Sequence, residues 1–385
     1  MQKIMAVIGT RPEAIKLVPV VEELKKYPYD VEIKVIVTAQ HRHLLDQVLN
    51  LFGIYPDYDL NIMEPDQDLF TLTNAVLTKL KPVLEKEKPN FILVQGDTTT
   101  TFVTSLAAFY LKIRIGHVEA GLRTYDKFHP FPEEINRRLT RCLVDFHFAP
   151  TQRAKSNLVS EGIPEKNIFV TGNTVIDALF VTLENLKKDN SKLQHLNSQF
   201  SFLNSKSTKL ILVTAHRREN FGKPLENICL ALKEVTENNP EVEIIYPVHL
   251  NPHVQKPVKR ILKDNNKRIH LIDPLDYESF IWLMDKSYLI LTDSGGIQEE
   301  APSLGKPVLV LRQTTERPEA VEAGAVRVVG LDKDKIVRET QRLLDDEIPY
   351  EKMSKAPNPY GDGKAAQRIV KVIRNWLICK KGVME

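Results

Sequence analysis

The sequence predicts an α/β protein made of two doubly wound domains, each with a parallel sheet. Two observations predict this fold. The chain has 385 residues, which is too long for one ordinary hydrophobic core. Short apolar runs suited to buried strands alternate with helical patterns, and this alternation breaks off in mid-chain and then restarts. We therefore expect one sheet in each half.

The first half contains four predicted strands, each followed by a helical pattern. The strands are residues 3–8, 31–38, 91–95 and 114–118. Pro12 follows the first strand and suits the first turn of a helix, because its fixed φ is helical and the N–H it lacks would have no partner there.

The second half restarts the pattern after residues 175–207, which we interpret as a connector. Its predicted strands are 209–214, 243–247, 269–272, 288–291 and 308–311. The last segment, residues 364–378, is amphipathic, and we expect it to pack back on the first domain. The expected domains are therefore residues 1–172 with 365–385, and residues 173–364.

Polar side chains follow the carboxyl ends of the predicted strands. In open α/β sheets these ends form the crevice where ligands bind, because loops and helix N-termini converge there. One such residue alone is more often a cap or a solvated loop residue. A repeated set at equivalent places in the first half favours one shared site, and its members are Arg11, Gln40, His41, Asp97, Glu119 and Arg123.

Residues 288–312 have the order strand, glycine turn, helix and strand. Gly295 and Gly296 allow a tight turn and leave backbone amides uncovered at the start of a helix, where the helix dipole favours an anion such as a diphosphate. The alternative is an ordinary helix capped by Ser294. The local pattern leaves both interpretations open, because it is not the G-x-G-x-x-G dinucleotide fingerprint.

A further helix is predicted from Pro132, with Glu133 and Glu134 in its first turn. Both acids have an arginine four residues later, so the helix could be a salt-bridged surface helix, and we accept that interpretation for Glu134. The alternative for Glu133 is that the rigid helix start directs its carboxylate into the crevice.

Composition limits the partners and the compartment. The 53 basic and 50 acidic residues give a net charge of +3, which argues against nucleic acid as the main partner. No targeting segment or bilayer-length apolar run is evident, so we expect no membrane partner and a cytoplasmic location. The three cysteines lack metal-ligand spacing, and neither a metal nor another cofactor is expected.

Eight motifs together resemble the non-hydrolysing UDP-N-acetylglucosamine 2-epimerases, and the resemblance extends over essentially the whole chain. The motifs are GTRPEAIK (9–16), TAQHR (38–42), QGDTTT (95–100), HVEAGLR (117–123), PFPEEINRR (130–138), TAHRREN (214–220), DSGGIQEEAPSLGKP (293–307) and TERPEA (315–320).

The resemblance implies two Rossmann-like domains of the glycosyltransferase-B type with a deep cleft between them. It implies reversible conversion of UDP-GlcNAc to UDP-ManNAc, the substrate being UDP-GlcNAc. In this mechanism a base removes the C2 proton while UDP leaves C1, which gives 2-acetamidoglucal and UDP. UDP then adds back, with the proton returned on the other face.

The resemblance also assigns roles at matching positions. The catalytic residues would be Asp97, Glu119, Glu133 and His216, and which of them is base and which is acid stays open. The substrate-binding residues would be Arg11, Lys16, Ser294, Gly295, Gly296, Glu300 and Arg317. Glu300 would contact the ribose hydroxyls, and Arg317 the sugar or phosphates.

Bacterial members of this family are activated by their own substrate at a neighbouring site, so UDP-GlcNAc is expected to be an activator as well. The matching residues are Gln40, His41, Gln67, Arg217 and His249. His43 departs from the family, in which Glu or Gln tends to occupy this position, and this departure leaves the detailed contacts of the second site open.

Three alternative functions remain to be separated by experiment: a hydrolysing relative that releases ManNAc and UDP, a retaining glycosyltransferase of the same fold, and a UDP-sugar sensor without catalysis. Fold alone does not choose among them. The resemblance further implies a homodimer and a product that supplies bacterial surface polysaccharides. Whether it feeds teichoic acid linkage units, enterobacterial common antigen or capsule is open, as is the source organism.

Overall fold

The structure is a computed structural model that describes residues 1–38, 42–64, 67–205, 207–263 and 267–381. It divides into two compact units, residues 1–178 with 360–385, and residues 179–359. The domain boundaries expected from the sequence, at 172/173 and 364/365, stay a prediction. No described helix is long and apolar enough to cross a membrane.

The first unit alternates strands and helices along the chain. Its strands are β1 (Gln2–Ile8), β2 (Val31–Val37), β3 (Tyr58–Asp59), β4 (Phe91–Gln95), β5 (Arg114–Val118), β6 (Phe146–Ala149) and β7 (Ile168–Val170). Its helices are α1 (Arg11–Lys25), α2 (Arg42–Leu51), α3 (Leu69–Glu87), α4 (Thr99–Tyr110), α5 (Glu133–Leu143) and α6 (Gln152–Ser160).

Helix α7 (Thr174–Lys188) leads out of the first unit, and the alternation then continues in the second. The helices there are α8 (Asn190–Gln199), α9 (Lys223–Asn238), α10 (Pro252–Leu262), α11 (Tyr277–Lys286), α12 (Gly295–Glu300), α13 (Pro318–Glu322), α14 (Lys333–Asp345) and α15 (Glu347–Ser354). The strands are β8 (Lys209–Thr214), β9 (Val242–Pro247), β10 (Ile269–Ile272), β11 (Leu289–Thr292), β12 (Val308–Val310) and β13 (Val326–Val328).

Both sheets are parallel over the described residues, which confirms the predicted fold class. The strand order is β3-β2-β1-β4-β5-β6-β7 in the first unit and β10-β9-β8-β11-β12-β13 in the second. In each sheet the order reverses beside the first strand, between β1 and β4 and between β8 and β11. Such a switch point opens a crevice at the carboxyl ends of the strands, because the two adjoining connections run to opposite faces.

The last helix, α16 (Ala365–Lys381), returns to the first unit. It packs against α1. Trp376 contacts Phe91 and Phe146 with ring centroids 5.6 Å apart in both pairs, and Arg374 donates to Asp30 at 2.8 Å. Aromatic burial and one ion pair therefore fasten the end of the described chain to the first sheet.

Two expectations differ from the structure in detail. The predicted connector, residues 175–207, is largely helical: it contains α7 and α8, and Leu179, Leu183 and Leu186 form a buried stripe along α7. Glu134 makes the expected salt bridge with an arginine, Arg137, at 3.2 Å, but it is fully buried rather than on the surface, and it also accepts hydrogen bonds from the backbone amides of Thr124 and Tyr125.

Candidate functional site

The candidate residues of the first unit lie at the switch point of its sheet. Arg11 begins α1 directly after β1, Asp97 follows β4, and Glu119 follows β5. Glu133 is the first residue of α5. The parallel sheet thus places the four residues on loops that open at the same sheet edge.

Asp97 is paired with an arginine. Arg137 on α5 donates to Oδ2 of Asp97 from Nε at 2.9 Å and from Nη2 at 2.5 Å. Asn136 donates to the Asp97 carbonyl at 2.9 Å, so α5 is fastened to the loop after β4. Because Glu133 begins the same helix, these contacts hold Glu133 beside the Asp97 loop.

Glu119 is held in a strained conformation by three donors. Its φ of 65° is in the left-handed region, which a residue with a Cβ enters at a cost. Its carboxylate accepts from Lys16 Nζ at 2.5 Å, from Asn173 Nδ2 at 2.9 Å and from Gln95 Nε2. A Cβ placed on Gly96 would lie 3.8 Å from Oε2 of Glu119, so this carboxylate is close to the residue preceding Asp97.

Glu133 differs from the other two carboxylates. Its Oε2 is buried and has no hydrogen-bond partner among the described residues. A buried carboxylate oxygen without a donor is unfavourable, and such groups concentrate at sites where a ligand or water completes the bonding. This observation favours a ligand-directed Glu133 over a surface salt bridge.

A fourth carboxylate of the first unit, Glu13, was not predicted. It is 1% exposed and accepts from the hydroxyls of Thr10 and Thr98 at 2.8 Å and of Thr101 at 3.1 Å. Burial raises the pKa of Glu13 to about 7, against the opposing effect of these donors. Glu13 therefore joins the loop that carries Arg11 to the loop that carries Asp97.

In the second unit the switch point lies between β8 and β11. His216 and Arg217 follow β8, and Ser294 to Gly296 follow β11. Ser294 occupies the N-cap position of α12, but its side chain makes no capping hydrogen bond. The ordinary capped helix is thus not what the structure shows.

Two arginines converge on the glycine turn. A Cβ placed on Gly295 would lie 3.7 Å from Nη2 of Arg317 and 3.8 Å from Nη2 of Arg217. Arg317 is also paired through Nε with Glu299, which is 1% exposed. Guanidinium groups beside a helix N-terminus form a site for a phosphate or diphosphate.

Glu300 faces the same turn. Its Oε1 lies 3.7 Å from the Cβ position of Gly296, and Tyr277 donates from its hydroxyl to Oε2 at 3.0 Å. A buried carboxylate next to a phosphate site suits a ligand hydroxyl. The hydroxyl can donate a hydrogen bond to the carboxylate, whereas an ionised phosphate has no proton to donate.

His216 and His249 are stacked, with ring centroids 5.5 Å apart and planes 11° apart. Burial lowers the pKa of His216, and the neighbouring His249 and Arg217 act in the same direction, whereas Asp293 opposes them. Nδ1 of His249 accepts from the backbone amide of Asn251 at 3.1 Å. His216 is thus surrounded by groups that control its charge.

The residues predicted for the second ligand site belong to both units, and the site stays a prediction. Gln67 precedes α3 in the first unit and donates from Nε2 to the Ile62 carbonyl at 3.0 Å, whereas Arg217 and His249 belong to the second unit. Gln40 and His41 lie outside the described residues. The side chain of Arg123, expected at the first site, is buried and donates to both oxygens of Glu161.

Sequence reasoning missed Arg137, Gln95, Asn173 and Asp293 as members of these sites. Gln95, Arg137 and Asp293 lie within motifs that the sequence analysis singled out, whereas Asn173 lies outside all of them. Among the residues that the structure describes, no group of three or more histidine, cysteine, aspartate or glutamate side chains is arranged to hold a metal ion.

Comparisons with known proteins identify the family. The family model described as UDP-N-acetylglucosamine 2-epimerase matches residues 22–374. A UDP-N-acetylglucosamine 2-epimerase of Campylobacter jejuni is 56% identical over 376 residues, covering 97% of this chain and 97% of that protein.

Solved structures agree with the sequence relatives. The crystal structure of a UDP-GlcNAc 2-epimerase from Neisseria meningitidis bound to UDP-GlcNAc superposes with a TM-score of 0.88 at 53% identity, covering 97% of this chain and 99% of that one. The glycosyltransferase of kitacinnamycin shares the fold alone, with a TM-score of 0.63 at 11% identity over 98% of this chain and 99% of that one. These matches confirm the family that the motifs predicted. The chain belongs to the UDP-N-acetylglucosamine 2-epimerase family.

Proposed function

We propose that this protein is a non-hydrolysing UDP-N-acetylglucosamine 2-epimerase that interconverts UDP-GlcNAc and UDP-ManNAc. Family membership and the activity of the relatives named above support epimerisation of UDP-GlcNAc, an isomerase reaction. The single observation that carries the proposal is the convergence of Arg217 and Arg317 on the Gly295 turn, because the reaction begins with the departure of a diphosphate.

The second unit would hold UDP. The two arginines and the amides at the start of α12 would bind the diphosphate, with the Ser294 hydroxyl as a further donor. Glu300 would accept from the ribose hydroxyls. The positive charge of the arginines stabilises the negative charge that grows on the diphosphate as the C1–O bond breaks.

The first unit would supply proton transfer. The C2 proton of the hexose is weakly acidic, so a positioned base must remove it while UDP leaves, and the pair of electrons from the C2–H bond forms the double bond of 2-acetamidoglucal. Returning the proton to the other face requires a second carrier. Asp97 beside Arg137, Glu119 beside Lys16, the less constrained Glu133, and His216 of the second unit are the groups available.

The environments separate the roles of the carboxylates. Asp97 and Glu119 are each paired with a cation within 2.5 Å, and these ion pairs fix the two carboxylates in position to orient the substrate and to stabilise charge. Glu133 has a buried oxygen to which no described residue makes a hydrogen bond. Glu133 is therefore the carboxylate with an oxygen left to bind the substrate.

We further propose that UDP-GlcNAc also activates the enzyme at a second site containing Gln40, His41, Gln67, Arg217 and His249. Support comes from Arg217, which adjoins the glycine turn, and from His249, which stacks on His216. A ligand that binds these side chains would contact groups that themselves touch the substrate site, and such contact is one route to a coupling free energy. An upward-curving dependence of rate on UDP-GlcNAc concentration would support activation, and a simple hyperbola would contradict it.

Product analysis by proton NMR tests the reaction and separates the alternatives. The non-hydrolysing epimerase gives UDP-ManNAc in equilibrium with UDP-GlcNAc. Accumulation of free ManNAc and UDP, with no UDP-ManNAc, would establish the hydrolysing reaction instead. Transfer of the sugar to an added acceptor would indicate a glycosyltransferase, and binding without turnover would indicate a UDP-sugar sensor.

We propose a cytoplasmic homodimer whose product supplies bacterial surface polysaccharides. Light scattering tests the dimer. The measured mass should be twice the chain mass of 44.0 kDa. Loss of ManNAc from the surface polysaccharides of a deletion strain tests the role, and an unchanged sugar composition would contradict it.

A further inference from the structure

Asp293 is a fully buried carboxylate for which the proposed reaction has no stated use. It follows β11 and is 0% exposed. Its Oδ2 accepts from the backbone amides of His216 at 2.8 Å and Arg217 at 2.7 Å, and from Nδ2 of Asn220 at 3.0 Å. One oxygen thus fixes the loop after β8, which carries the candidate catalytic histidine.

The other oxygen of Asp293 faces the ring of that histidine. Oδ1 lies 3.4 Å from Nδ1 of His216, and none of the described residues makes a hydrogen bond to it. A buried carboxylate oxygen without a donor is strongly disfavoured. A small rotation of the imidazole about its Cβ–Cγ bond would shorten this contact to a hydrogen bond, provided that Nδ1 carries the proton.

We propose that Asp293 is a positioning residue that holds His216 in the tautomer with the proton on Nδ1, so that Nε2 is the nitrogen that exchanges a proton during the reaction. This inference rests on the catalytic role of His216 in the proposed function. During the reaction Nε2 accepts a proton, the ring becomes an imidazolium, and Nε2 later gives that proton up.

The groups around the ring explain why an anion is needed there. His249 stacks on one face of His216, and the Arg217 guanidinium disfavours a second positive charge nearby. Burial of the ring acts in the same direction. Asp293 is the group that favours the imidazolium against these effects, and it is already fixed by its three donors, so the loop need not rearrange during proton transfer.

Asp293→Asn tests the proposal because it changes the tautomer with little change in shape. The carboxamide oxygen can keep the three donors of Oδ2, which directs the NH₂ group towards Nδ1 of His216 and forces the ring proton onto Nε2. We expect kcat to fall by about 10²–10⁴-fold. The kinetic pKa assigned to His216 should move to lower pH because the anion is lost, while the Kd for UDP stays within about threefold.

A second measurement does not depend on the variant folding well. Nitrogen-15 NMR of histidine-labelled wild-type protein should show His216 protonated on Nδ1 and unprotonated on Nε2 at a pH where the ring is neutral. His216→Asn identifies the signal among the ten histidines. Glu243→Gln is the matched control, because Glu243 contacts Nε2 of His270 at 2.7 Å in another acid–histidine pair of the same unit, and it should leave kcat and the His216 signal unchanged.

The outcomes separate this inference from the proposed function. An Nε2-protonated His216 in the wild type would overturn the inference. So would wild-type kcat and pH profile for Asp293→Asn combined with inactivity of His216→Asn, and the proposed function would still stand. Wild-type turnover by His216→Asn would show that His216 is not catalytic. The positioning role of Asp293 would then be contradicted as well.

Discussion

Arg137 donates two hydrogen bonds to one oxygen of Asp97, although the two residues are 40 positions apart in sequence. The guanidinium also contacts Oε2 of Glu134 at 3.2 Å, and the Arg137 side chain is 14% exposed. The pair joins α5 to the carboxyl end of β4. The pair therefore brings the loop of Asp97 close to the start of α5, where Glu133 lies. Neither of these two sequence segments specifies this arrangement alone.

Asp97→Asn should lower kcat by about 10²–10⁴-fold. An amide whose oxygen takes the place of Oδ2 can keep both hydrogen bonds from Arg137 but has no negative charge to neutralise the guanidinium or to assist proton movement. UDP binding, measured by calorimetry, should be retained because the diphosphate residues are unaffected.

Asp362→Asn is the control for Asp97, because Asp362 and Arg368 form another two-bond pair in the same unit, at 2.7 and 2.8 Å. Both side chains of that pair are exposed, so its loss should cost little stability and leave turnover unchanged. Equal kcat for Asp97→Asn and the wild type would remove Asp97 from the catalytic residues.

Arg317→Lys should weaken UDP binding by about tenfold, as expected for loss of one charge-assisted hydrogen bond. Lysine keeps a positive charge beside the buried Glu299 but cannot reproduce the planar fork of donors. Calorimetry with UDP measures the change. Arg327→Lys, at a pair with Glu339 in the same unit, should bind UDP as the wild type does, and equal affinities for both variants would contradict the assignment.

Gln67→Ala should flatten the dependence of rate on UDP-GlcNAc concentration while preserving the rate at saturation. The side chain makes one described hydrogen bond, to the Ile62 carbonyl, so its removal should perturb the fold little. Initial rates over a wide substrate range measure the effect. A curve that superposes on that of the wild type would remove Gln67 from the second site.

Glu13→Gln should make stability less dependent on pH. Burial raises the pKa of Glu13 from 4.5 to about 7, so between these values the folded protein keeps a proton that the unfolded chain has lost. The stabilisation from this group is complete below about pH 4.5 and is lost as pH rises through 7, a change of up to about 3 kcal/mol.

Urea denaturation of wild-type and Glu13→Gln proteins at several pH values measures this effect. The free energy of unfolding of the wild type should fall relative to that of the variant as pH rises across the window. Parallel curves would mean that Glu13 titrates in the folded protein as it does in the unfolded chain.

Gly121→Ala should be strongly destabilising. Gly121 has a φ of +94°, and an added Cβ would lie 2.3 Å from the Ala154 carbonyl oxygen, so the backbone must shift. Gly162→Ala is the matched control: its φ is +86°, and no described atom lies within 4 Å of the added Cβ. The control should cost about 1–2 kcal/mol from conformation alone, and Gly121→Ala about 1–3 kcal/mol more.

Equal free energies of unfolding for the two glycine variants, measured in urea, would show that the loop after β5 relaxes around the new methyl group. The loop that carries Glu119 would then be less constrained than the structure indicates.

The sequence predicted the central strands of the sheets better than the edge strands. The buried strand at Phe91–Gln95 is a compact apolar run between polar segments, and its predicted bounds match the structure. The two-residue strand β3 gives no such pattern. Helix α7 was interpreted only as part of a connector although Leu179, Leu183 and Leu186 have helical spacing, and α8 was missed because its sequence is polar and buries a single leucine, Leu196.

The positions of the candidate site residues could be predicted from the sequence, but the contacts between them could not. Residues that follow strands of one parallel sheet share an edge of that sheet, so the locations of Asp97 and Glu119 on the first sheet and of His216 on the second follow from the strand pattern. The contacts of these residues do not, because Asp293 reaches the amide of His216 across 77 positions and Asn173 reaches Glu119 across 54. Such contacts depend on how helices and loops pack, which local sequence does not encode.

The incorporation of solvent deuterium at C2 tests the proposed reaction most directly. UDP-GlcNAc is incubated with the enzyme in D₂O, and proton NMR follows the C2 signal of both nucleotide sugars over time. Epimerisation through removal and return of the C2 proton predicts UDP-ManNAc carrying deuterium at C2, with deuterium also appearing in the recovered UDP-GlcNAc. UDP-ManNAc that forms with its C2 proton retained, or a C2 proton that persists in all products, would contradict the account.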